Sequence, residues 1–252
     1  MRRLLLTTHY SPKASFLGDS NFPHSVDAYK EGKTLQLYQD LYERYTTLGL
    51  SYPTDRPRAI AGLEKRLMDA LRSAGGYGIF QSNFHRNLLW HRQRSKTTLK
   101  RIEFEPYQDK IPSWSWMAFE GEIRYMNVPF GDIERAVDIV SPFENLTIGM
   151  SYSDTSPASA AQLQVPVYNL AVEDPSELIL DEPDRKLTRP FECVIIGNSK
   201  KIRDEQQTYY ALIVCKLGKE EGALSIYERV GVAYLKTKEI QLGQSGKRVQ
   251  IR

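Results

Sequence analysis

Two tryptophans in one short segment are the residues best suited to bind an organic molecule. The segment is Ile111-Pro112-Ser113-Trp114-Ser115-Trp116. On an extended backbone, side chains two residues apart point to the same face. Trp114 and Trp116 would then form one broad apolar wall, and each indole N–H would need a partner once buried. The segment is either a hinge in the core or the floor of a pocket, and the residue types alone favour the core.

Sequence signatures of nucleophilic, nucleotide-dependent and metal-dependent catalysis are missing. The sequence contains no Gly-x-Ser-x-Gly elbow, no phosphate-binding glycine loop and no His-Glu-x-x-His. His85 and His91 are six residues apart, so on a helix they would not converge on one metal ion. Cys193 and Cys215 add no zinc-binding spacing. We therefore expect neither a metal nor a cofactor.

A basic stretch from Arg86 to Arg101 is a second candidate surface. It contains six lysines and arginines and no acidic residue, so it could bind a phosphate, an acidic partner or RNA. Aromatic side chains are not interleaved in it as a stacking platform for nucleic acid would need. We interpret the stretch as a solvated loop between the helical and β halves.

Composition narrows the classes of partner. The chain has 252 residues, of which 41% are hydrophobic and 26% charged, and its net charge of +3 is too small to indicate a nucleic-acid or membrane partner. Only three leucines follow the charged start at Met1–Arg3, and no segment approaches the roughly 18 apolar residues of a membrane span. We expect a cytoplasmic protein in which Cys193 and Cys215 are free buried thiols on strands.

Helical periodicity is confined to the first part of the chain. Residues 1–33 show no periodicity, and we expect an irregular arm there. Apolar residues at three- and four-residue spacing predict one helix over Leu35–Leu48 and another that ends at Gly75-Gly76. A third, shorter helix is expected within Phe80–Trp90.

The segment that leads into the second helix contains charged residues with a simple structural explanation. Thr54 or Asp55 is expected to be the N-cap, with Pro57 inside the first turn. A helix cap and a local ion pair would then explain Asp55 and Arg56 without any binding site.

Beyond residue 100, short runs rich in Val, Ile, Tyr and Thr alternate with turn residues, which is typical of antiparallel sheets. We predict an α+β fold in which an N-terminal helical layer packs on an antiparallel β-sandwich or barrel. The expected divisions are an irregular arm over 1–33, a helical sub-domain over 34–110 and an antiparallel β domain over 111–252. Strands are expected near Trp116–Phe119, Glu122–Val128, Arg135–Val140, Leu163–Val172, Glu177–Leu180, Phe191–Gly197, Tyr209–Leu217, Leu224–Tyr234 and Val249–Ile251.

Four motifs together resemble a known family. The run Pro112–Trp116 followed by Gly121–Tyr125 is similar to a stretch of fungal heterokaryon-incompatibility proteins. Further similar segments keep the family order; they are Tyr42–Tyr45 with Asp55–Leu63, Tyr77–Phe80 with Leu88–Trp90, and Tyr227–Gly231. Pro57 stands where the family usually has leucine, and Thr46-Thr47 where it has Ser-Arg. The resemblance spans residues 38–234 and implies the C-terminal region of such a protein, without the N-terminal effector domain associated with cell death.

A pocket without a nucleophile, metal or nucleotide can still promote a reaction by holding a reactive molecule in a folded shape. The resemblance to a fungal protein without its effector domain implies a different role, such as one in natural-product pathways. Together with this resemblance, the missing signatures lead us to predict a small-molecule-binding protein of fungal secondary metabolism that acts as a cofactor-independent cyclase of the pericyclase or Diels-Alderase type. Its ligand would be a hydrophobic terpenoid or polyketide. The candidate substrate-binding residues are Trp90, Trp114, Trp116, Tyr125 and Arg58.

Two other functions remain open. The chain could be a recognition or regulatory module of an incompatibility system that binds a protein partner through Arg86–Arg101 and the Ser151–Ala161 loop. It could also carry out acid–base hydrolysis or isomerisation with Tyr125 and one of Asp55, Glu120 and Glu122. A closed pocket lined by tryptophan faces would favour small-molecule chemistry, whereas an exposed aromatic patch would favour a protein partner.

Overall fold

The helices lie in the first part of the described chain. The computed structural model describes residues 31–93, 98–105, 111–151, 161–172, 174–186, 189–200, 206–221, 224–242 and 246–252. The predicted N-terminal arm, apart from its last three residues, and most of the Ser151–Ala161 loop lie outside these ranges. The helices are α1 (Glu31–Thr46), α2 (Arg56–Leu71) and α3 (Phe84–Asn87).

The first two helices follow the predicted periodicity. Helix α1 buries Leu35, Tyr38, Leu41 and Tyr42. Helix α2 begins next to Pro57 as predicted but ends before Gly75-Gly76. Its end is Arg72, which has a φ of 47° in the left-handed region, so the chain leaves the helix there.

The two glycines have another role, because they form a strand of a hairpin. Gly75 pairs with Phe80 and Gly76 with Ile79. A Cβ at Gly75 would lie 2.6 Å from the carbonyl oxygen of Ile79, so only glycine allows this close approach. The predicted helix over Phe80–Trp90 is therefore largely wrong, since strands flank the single turn of α3.

Thirteen strands lie in the described part of the chain, and most of the later ones match the predicted strands. They are β1 (Gly75–Gly76), β2 (Ile79–Phe80), β3 (Trp90–Arg92), β4 (Lys100–Arg101), β5 (Phe119–Glu120), β6 (Ile123–Tyr125), β7 (Ile133–Arg135), β8 (Leu163–Asn169), β9 (Ile179–Leu180), β10 (Phe191–Ser199), β11 (Thr208–Glu221), β12 (Leu224–Lys236) and β13 (Lys247–Ile251). The predicted strand at Trp116–Phe119 is instead a 3₁₀ turn over Trp116–Ala118, because the Ser115 hydroxyl caps it by accepting from the Met117 N–H at 3.0 Å.

Five strands close into a barrel in the order β11–β10–β8–β13–β12, with β12 pairing back to β11. Four of these pairings are antiparallel, but β12 and β13 run parallel. A closed ring with an odd number of strands cannot alternate direction throughout, so one parallel pair is unavoidable. The prediction of a purely antiparallel barrel is wrong at this pair.

The barrel strands are buried on both faces. Along β11, Leu212 and Val214 belong to the larger buried cluster, to which all five barrel strands and α1 and α2 contribute. Ala211, Ile213 and Cys215 belong to a smaller cluster that also contains Cys193. The prediction of free buried thiols on strands is confirmed, and burial raises the pKa of Cys193 to about 12. The fold is thus α+β, with a small helical part and a mostly β region that contains a barrel; a separate helical layer is not confirmed.

A fully buried arginine on β12 links the barrel to the earlier segments. The guanidinium of Arg229 donates from Nε to Asp181 at 3.2 Å and from Nη2 to the other carboxylate oxygen at 3.3 Å. It also donates to the carbonyl oxygens of Leu88, at 2.9 Å, and of Trp90. Arg229 is 0% exposed and Asp181 1%. Every acceptor lies on a segment outside the barrel, so this residue joins β12 to the chain at the start of β3 and just after β9.

Burial acts on both charges of this pair. It lowers the pKa of Arg229 to about 10 and raises the pKa of Asp181, while each charge partly offsets the shift of the other. Removing one member of such a pair leaves the other charge buried without compensation, which is far more costly than the pair is worth.

We expect Asp181→Asn to lower the free energy of unfolding by about 3–5 kcal/mol, because the fully buried Arg229 charge would lose its counter-ion. Chemical denaturation checks this. The matched control is Glu182→Gln, whose carboxylate forms a partly exposed ion pair with Arg185 at 3.6 Å and should cost less than about 1 kcal/mol. Equal costs for the two variants would contradict the role given to Arg229.

Candidate functional site

The three tryptophans lie in the core, and each indole N–H has a partner. Trp90 donates to the carbonyl of Trp114 at 2.9 Å, and Trp114 donates to that of Ala161 at 3.3 Å. Trp116 donates to the carbonyl of Gly78 at 3.4 Å. All three side chains are 0% exposed.

Trp114 and Trp116 do not form a common wall. Trp114 packs edge-on against Tyr77 and Phe143, with ring centroids 6.0 and 6.1 Å away. Trp116 packs against Tyr42 and Tyr45, at 5.0 and 6.0 Å. The same-face prediction assumed an extended backbone, whereas the segment turns into a 3₁₀ helix at Trp116.

The serines of this segment also have structural partners. The Ser113 hydroxyl accepts from the backbone N–H of Arg229 at 3.0 Å and donates to the carbonyl of Arg252. The Ser115 hydroxyl donates to the carbonyl of Tyr77 at 2.6 Å. Residues of different motifs that carried the family resemblance therefore contact one another in the core, through hydrogen bonds and ring packing.

The basic stretch is largely used by the fold. Arg86 is buried and donates to the carbonyls of Val128 and Pro129 at 2.6 and 2.7 Å. Arg92 donates to the carbonyl of Leu180 at 2.8 Å, and Arg101 forms an ion pair with Glu228 at 2.8 Å. Residues 94–97 lie outside the described ranges. The interpretation as a solvated loop is thus wrong for the buried Arg86, whereas Arg92 and Arg101 are partly exposed and also bonded to the fold.

The remaining predicted site residues lie apart. Arg58 is exposed on α2. Tyr125, at the end of β6, lines a groove of about 360 Å³ that no tryptophan lines. Arg58 and Tyr125 were predicted to bind the same ligand, but they lie at different surfaces. The groove beside Tyr125 was not predicted.

One wall of this groove is α1, and the other is the segment Tyr125–Phe130. Gly32, Leu35, Gln36, Gln39, Asp40 and Glu43 line the first wall, and Arg86 completes the lining. We call this space the α1 groove. Two other cavities, of about 540 and 670 Å³, border undescribed segments at 106–110 and 201–205. The α1 groove begins next to the undescribed residues 1–30, and we take it as the candidate site because two carboxylates, Asp40 and Glu43, line it.

The second wall is held in place before any ligand arrives. The two hydrogen bonds from Arg86 fix the carbonyls of Val128 and Pro129, and the guanidinium lies 5.4 Å from the centroid of the Phe130 ring. The ring approaches α1 so closely that a Cβ at Gly32 would lie 3.0 Å from it. Such fixed walls reduce the entropy lost on binding.

The two carboxylates of α1 that line the groove, Asp40 and Glu43, differ in their surroundings. Glu43 accepts from the backbone N–H of Tyr125 at 2.9 Å and from Arg124 at 2.5 Å. Asp40, one turn earlier, makes no hydrogen bond or ion pair with any described residue. Burial and the charge of Glu43 raise the pKa of Asp40, while Arg44 and Arg124 oppose that shift. Glu43 thus supports the wall, and Asp40 stays available to a ligand.

Gln36 and Gln39 extend the polar surface along α1. Neither side chain forms a hydrogen bond with the part of the chain that the structure describes, and each offers both a donor and an acceptor. Sequence reasoning missed these residues and Asp40, since polar residues on the outer face of an amphipathic helix are the normal case. The acid beside Tyr125 is Glu43, and not Asp55, Glu120 or Glu122 as the third hypothesis supposed.

Three tyrosines belong to the elements that form the groove: Tyr38 and Tyr42 lie on α1, and Tyr125 lies in the second wall. Tyr38 donates to the Asn87 side chain at 2.6 Å. The hydroxyls of Tyr42 and Tyr125 are buried without a hydrogen-bond partner among the described residues. Burial raises the pKa of both well above 10.

Neither a metal site nor a membrane-spanning helix is seen in the described ranges. No group of three or more His, Cys, Asp and Glu side chains there is arranged to hold a metal ion. Within the same ranges, every helix is too short or too polar to cross a bilayer.

Comparison with known proteins adds no relative. No protein-family model matches the chain, and neither characterised proteins nor solved structures show significant similarity to it. The resemblance to heterokaryon-incompatibility proteins therefore stays a prediction.

We expect Tyr42→Phe to leave the free energy of unfolding unchanged or to raise it by about 1 kcal/mol, because it removes a buried hydroxyl that has no partner. The control is Tyr38→Phe, which removes a hydrogen bond and should cost about 1–3 kcal/mol. Urea denaturation of the two variants checks this. A similar loss in both would mean that Tyr42 has a partner, such as a buried water molecule.

Proposed function

We propose that the chain is a small-molecule-binding protein whose ligand site is the α1 groove. The observation that carries the proposal is Asp40, a carboxylate in the wall of the α1 groove that has no hydrogen-bond or ion-pair partner among the described residues. Its raised pKa supports the same site, because perturbed acids in clefts are characteristic of binding and catalytic sites. The volume of about 360 Å³ lies at the lower end of the usual range for ligand pockets, so the ligand is small.

The lining favours a polar ligand with an apolar part. Asp40 accepts hydrogen bonds or pairs with a cation, and the amides of Gln36 and Gln39 complement donors and acceptors. The ring of Phe130 is 53% exposed and offers an apolar face opposite α1. A molecule with an amine or hydroxyl group and a short apolar portion fits this arrangement best.

The finer functions predicted from sequence stay proposals. Binding of a terpenoid or polyketide, and its cyclisation without a cofactor, would require an aromatic wall that the packed indoles of Trp90, Trp114 and Trp116 do not form in this conformation. A protein partner remains the alternative, and the exposed side chains of Val137 and Ile148 would be natural contacts for it. Neither has an observation in its favour as direct as Asp40.

We expect small polar amines and alcohols to raise the melting temperature of the wild type in a fragment screen. Gln39→Trp, which fills the groove from the half-exposed face of α1, should weaken any hit at least about 10-fold, equal to about 1.4 kcal/mol. Arg58→Gln, on the exposed face of α2, should leave the affinity unchanged. Hits that are insensitive to Gln39→Trp, or none from a well-folded protein, would refute the proposal.

Asp40 should also give stability a defined dependence on pH. The pKa of Asp40 in the folded protein lies above its ordinary value of 3.8. The stability that comes from the neutral form is therefore fully present below pH 3.8, and it is lost as the pH rises through the raised pKa. Asp40→Asn cannot ionise, so it should be more stable than the wild type at pH 7.

We expect this gain to stay below about 1 kcal/mol, because solvent screens a half-buried carboxylate, and to vanish below about pH 3. Glu43→Gln is the control on the same helix, and it should destabilise at pH 7 because it weakens the bonds from Tyr125 and Arg124. Thermal unfolding from pH 3 to 8 measures both. A gain that grows as the pH falls would contradict the assignment.

A further inference from the structure

Arg56 is a buried cation without a visible counter-ion. It begins α2 and is 3% exposed. Its Nε and Nη1 atoms are buried, and no described residue accepts a hydrogen bond from them. The ion pair expected from sequence is therefore absent within the described ranges. An unsatisfied buried N–H group is costly, and it is more so on a charged side chain.

Arg56 lies at the N-terminus of helix α2. Helix α2 has 16 residues and no acidic side chain in its first turn. Asp55 is the N-cap, one of the two residues predicted for that position, but its side chain makes no capping hydrogen bond. Arg56 is the first residue of α2, and both the positive end of a helix dipole and a guanidinium favour an anion.

Arg56 is held at this place by contacts that do not neutralise it. Its guanidinium lies 5.8 Å from the centroid of the Tyr45 ring. The Tyr45 hydroxyl donates to the Arg56 carbonyl at 2.9 Å. Glu120 is exposed and acts on Arg56 through its charge, but it forms no ion pair with it.

Burial lowers the pKa of Arg56, as expected for a cation short of partners. Nε and Nη1 are the buried donors without a partner among the described residues, and Nη2 is not one of them. An anion bound at Nη2 would also lie beside Nη1. This paired arrangement is the one in which arginine binds oxyanions most strongly.

We propose that Arg56 and the first turn of α2 form a binding site for a single oxyanion, a phosphate or a carboxylate group. The site is independent of the α1 groove. It fits an anionic group of a ligand or partner and not an extended polyanion, since only one guanidinium is presented. The negative charge of Glu120, at the surface, repels an anion bound to Arg56 and so lowers the affinity of the site.

The test is a titration with sodium phosphate, followed by thermal unfolding, against sodium chloride of the same ionic strength. A melting temperature raised by roughly 2–4 °C at several times the Kd is expected for the wild type. Arg56→Gln should abolish the phosphate-specific rise. Arg58→Gln, two residues along the same turn and exposed, should retain it.

Two further variants keep the outcome decisive even if Arg56→Gln folds poorly. Arg56→Lys keeps the charge but not the paired donors, so its apparent Kd should rise at least about 10-fold. Glu120→Gln should lower the Kd and leave the stability without phosphate nearly unchanged. A parallel titration with sodium acetate shows whether the site takes carboxylates, phosphates or both.

The proposal fails if phosphate and acetate act no differently from chloride, or if Arg58→Gln removes the effect as fully as Arg56→Gln. It also fails if Glu120→Gln destabilises the protein without added anion as strongly as Arg56→Gln does, because Glu120 would then be the partner of Arg56.

Discussion

A single buried cation, Arg229, sets the constraint on which the rest of the structure depends. A guanidinium inside a protein needs acceptors for its buried N–H groups, and Asp181 with the carbonyls of Leu88 and Trp90 accepts four hydrogen bonds from Arg229. These acceptors come from segments far apart in the chain. The barrel strand β12 can therefore pack only where both segments are already in place, and the indole of Trp90 is fixed against the guanidinium 3.2 Å from its centroid.

This constraint explains why the most conspicuous aromatic residues are not the best candidate site. The family-like motifs contain the serines, tryptophans and arginine that form the buried network, so their pattern reflects packing. The features left for a ligand lie on the outer side of α1 and at the start of α2, where Asp40 and Arg56 lack partners among the described residues. A buried network and a ligand site can use the same residue types, and only their contacts distinguish them.

The sequence predicted the parts of the fold that depend on local pattern. Helix α1, the long strands β10 to β12 and the two buried cysteines follow from apolar spacing alone. The parallel pairing of β12 with β13 depends on barrel closure, and the turn at Trp116 depends on a cap by Ser115, so neither is visible in a periodicity. Tyr125 was the one predicted contact that lines the α1 groove. Asp40 and Arg56 could not be selected, because being unpaired is a property of three-dimensional neighbours.

The most direct measurement is amide NMR mapping of the fragments that stabilise the protein. If the α1 groove is the ligand site, the perturbed amides will cluster in residues 32–43 and 125–130, while the indole N–H signals of Trp90, Trp114 and Trp116 stay unchanged. Perturbations centred on the indole signals, with α1 unaffected, would contradict the assignment of the ligand site to the α1 groove. They would indicate that the tryptophans bind the ligand.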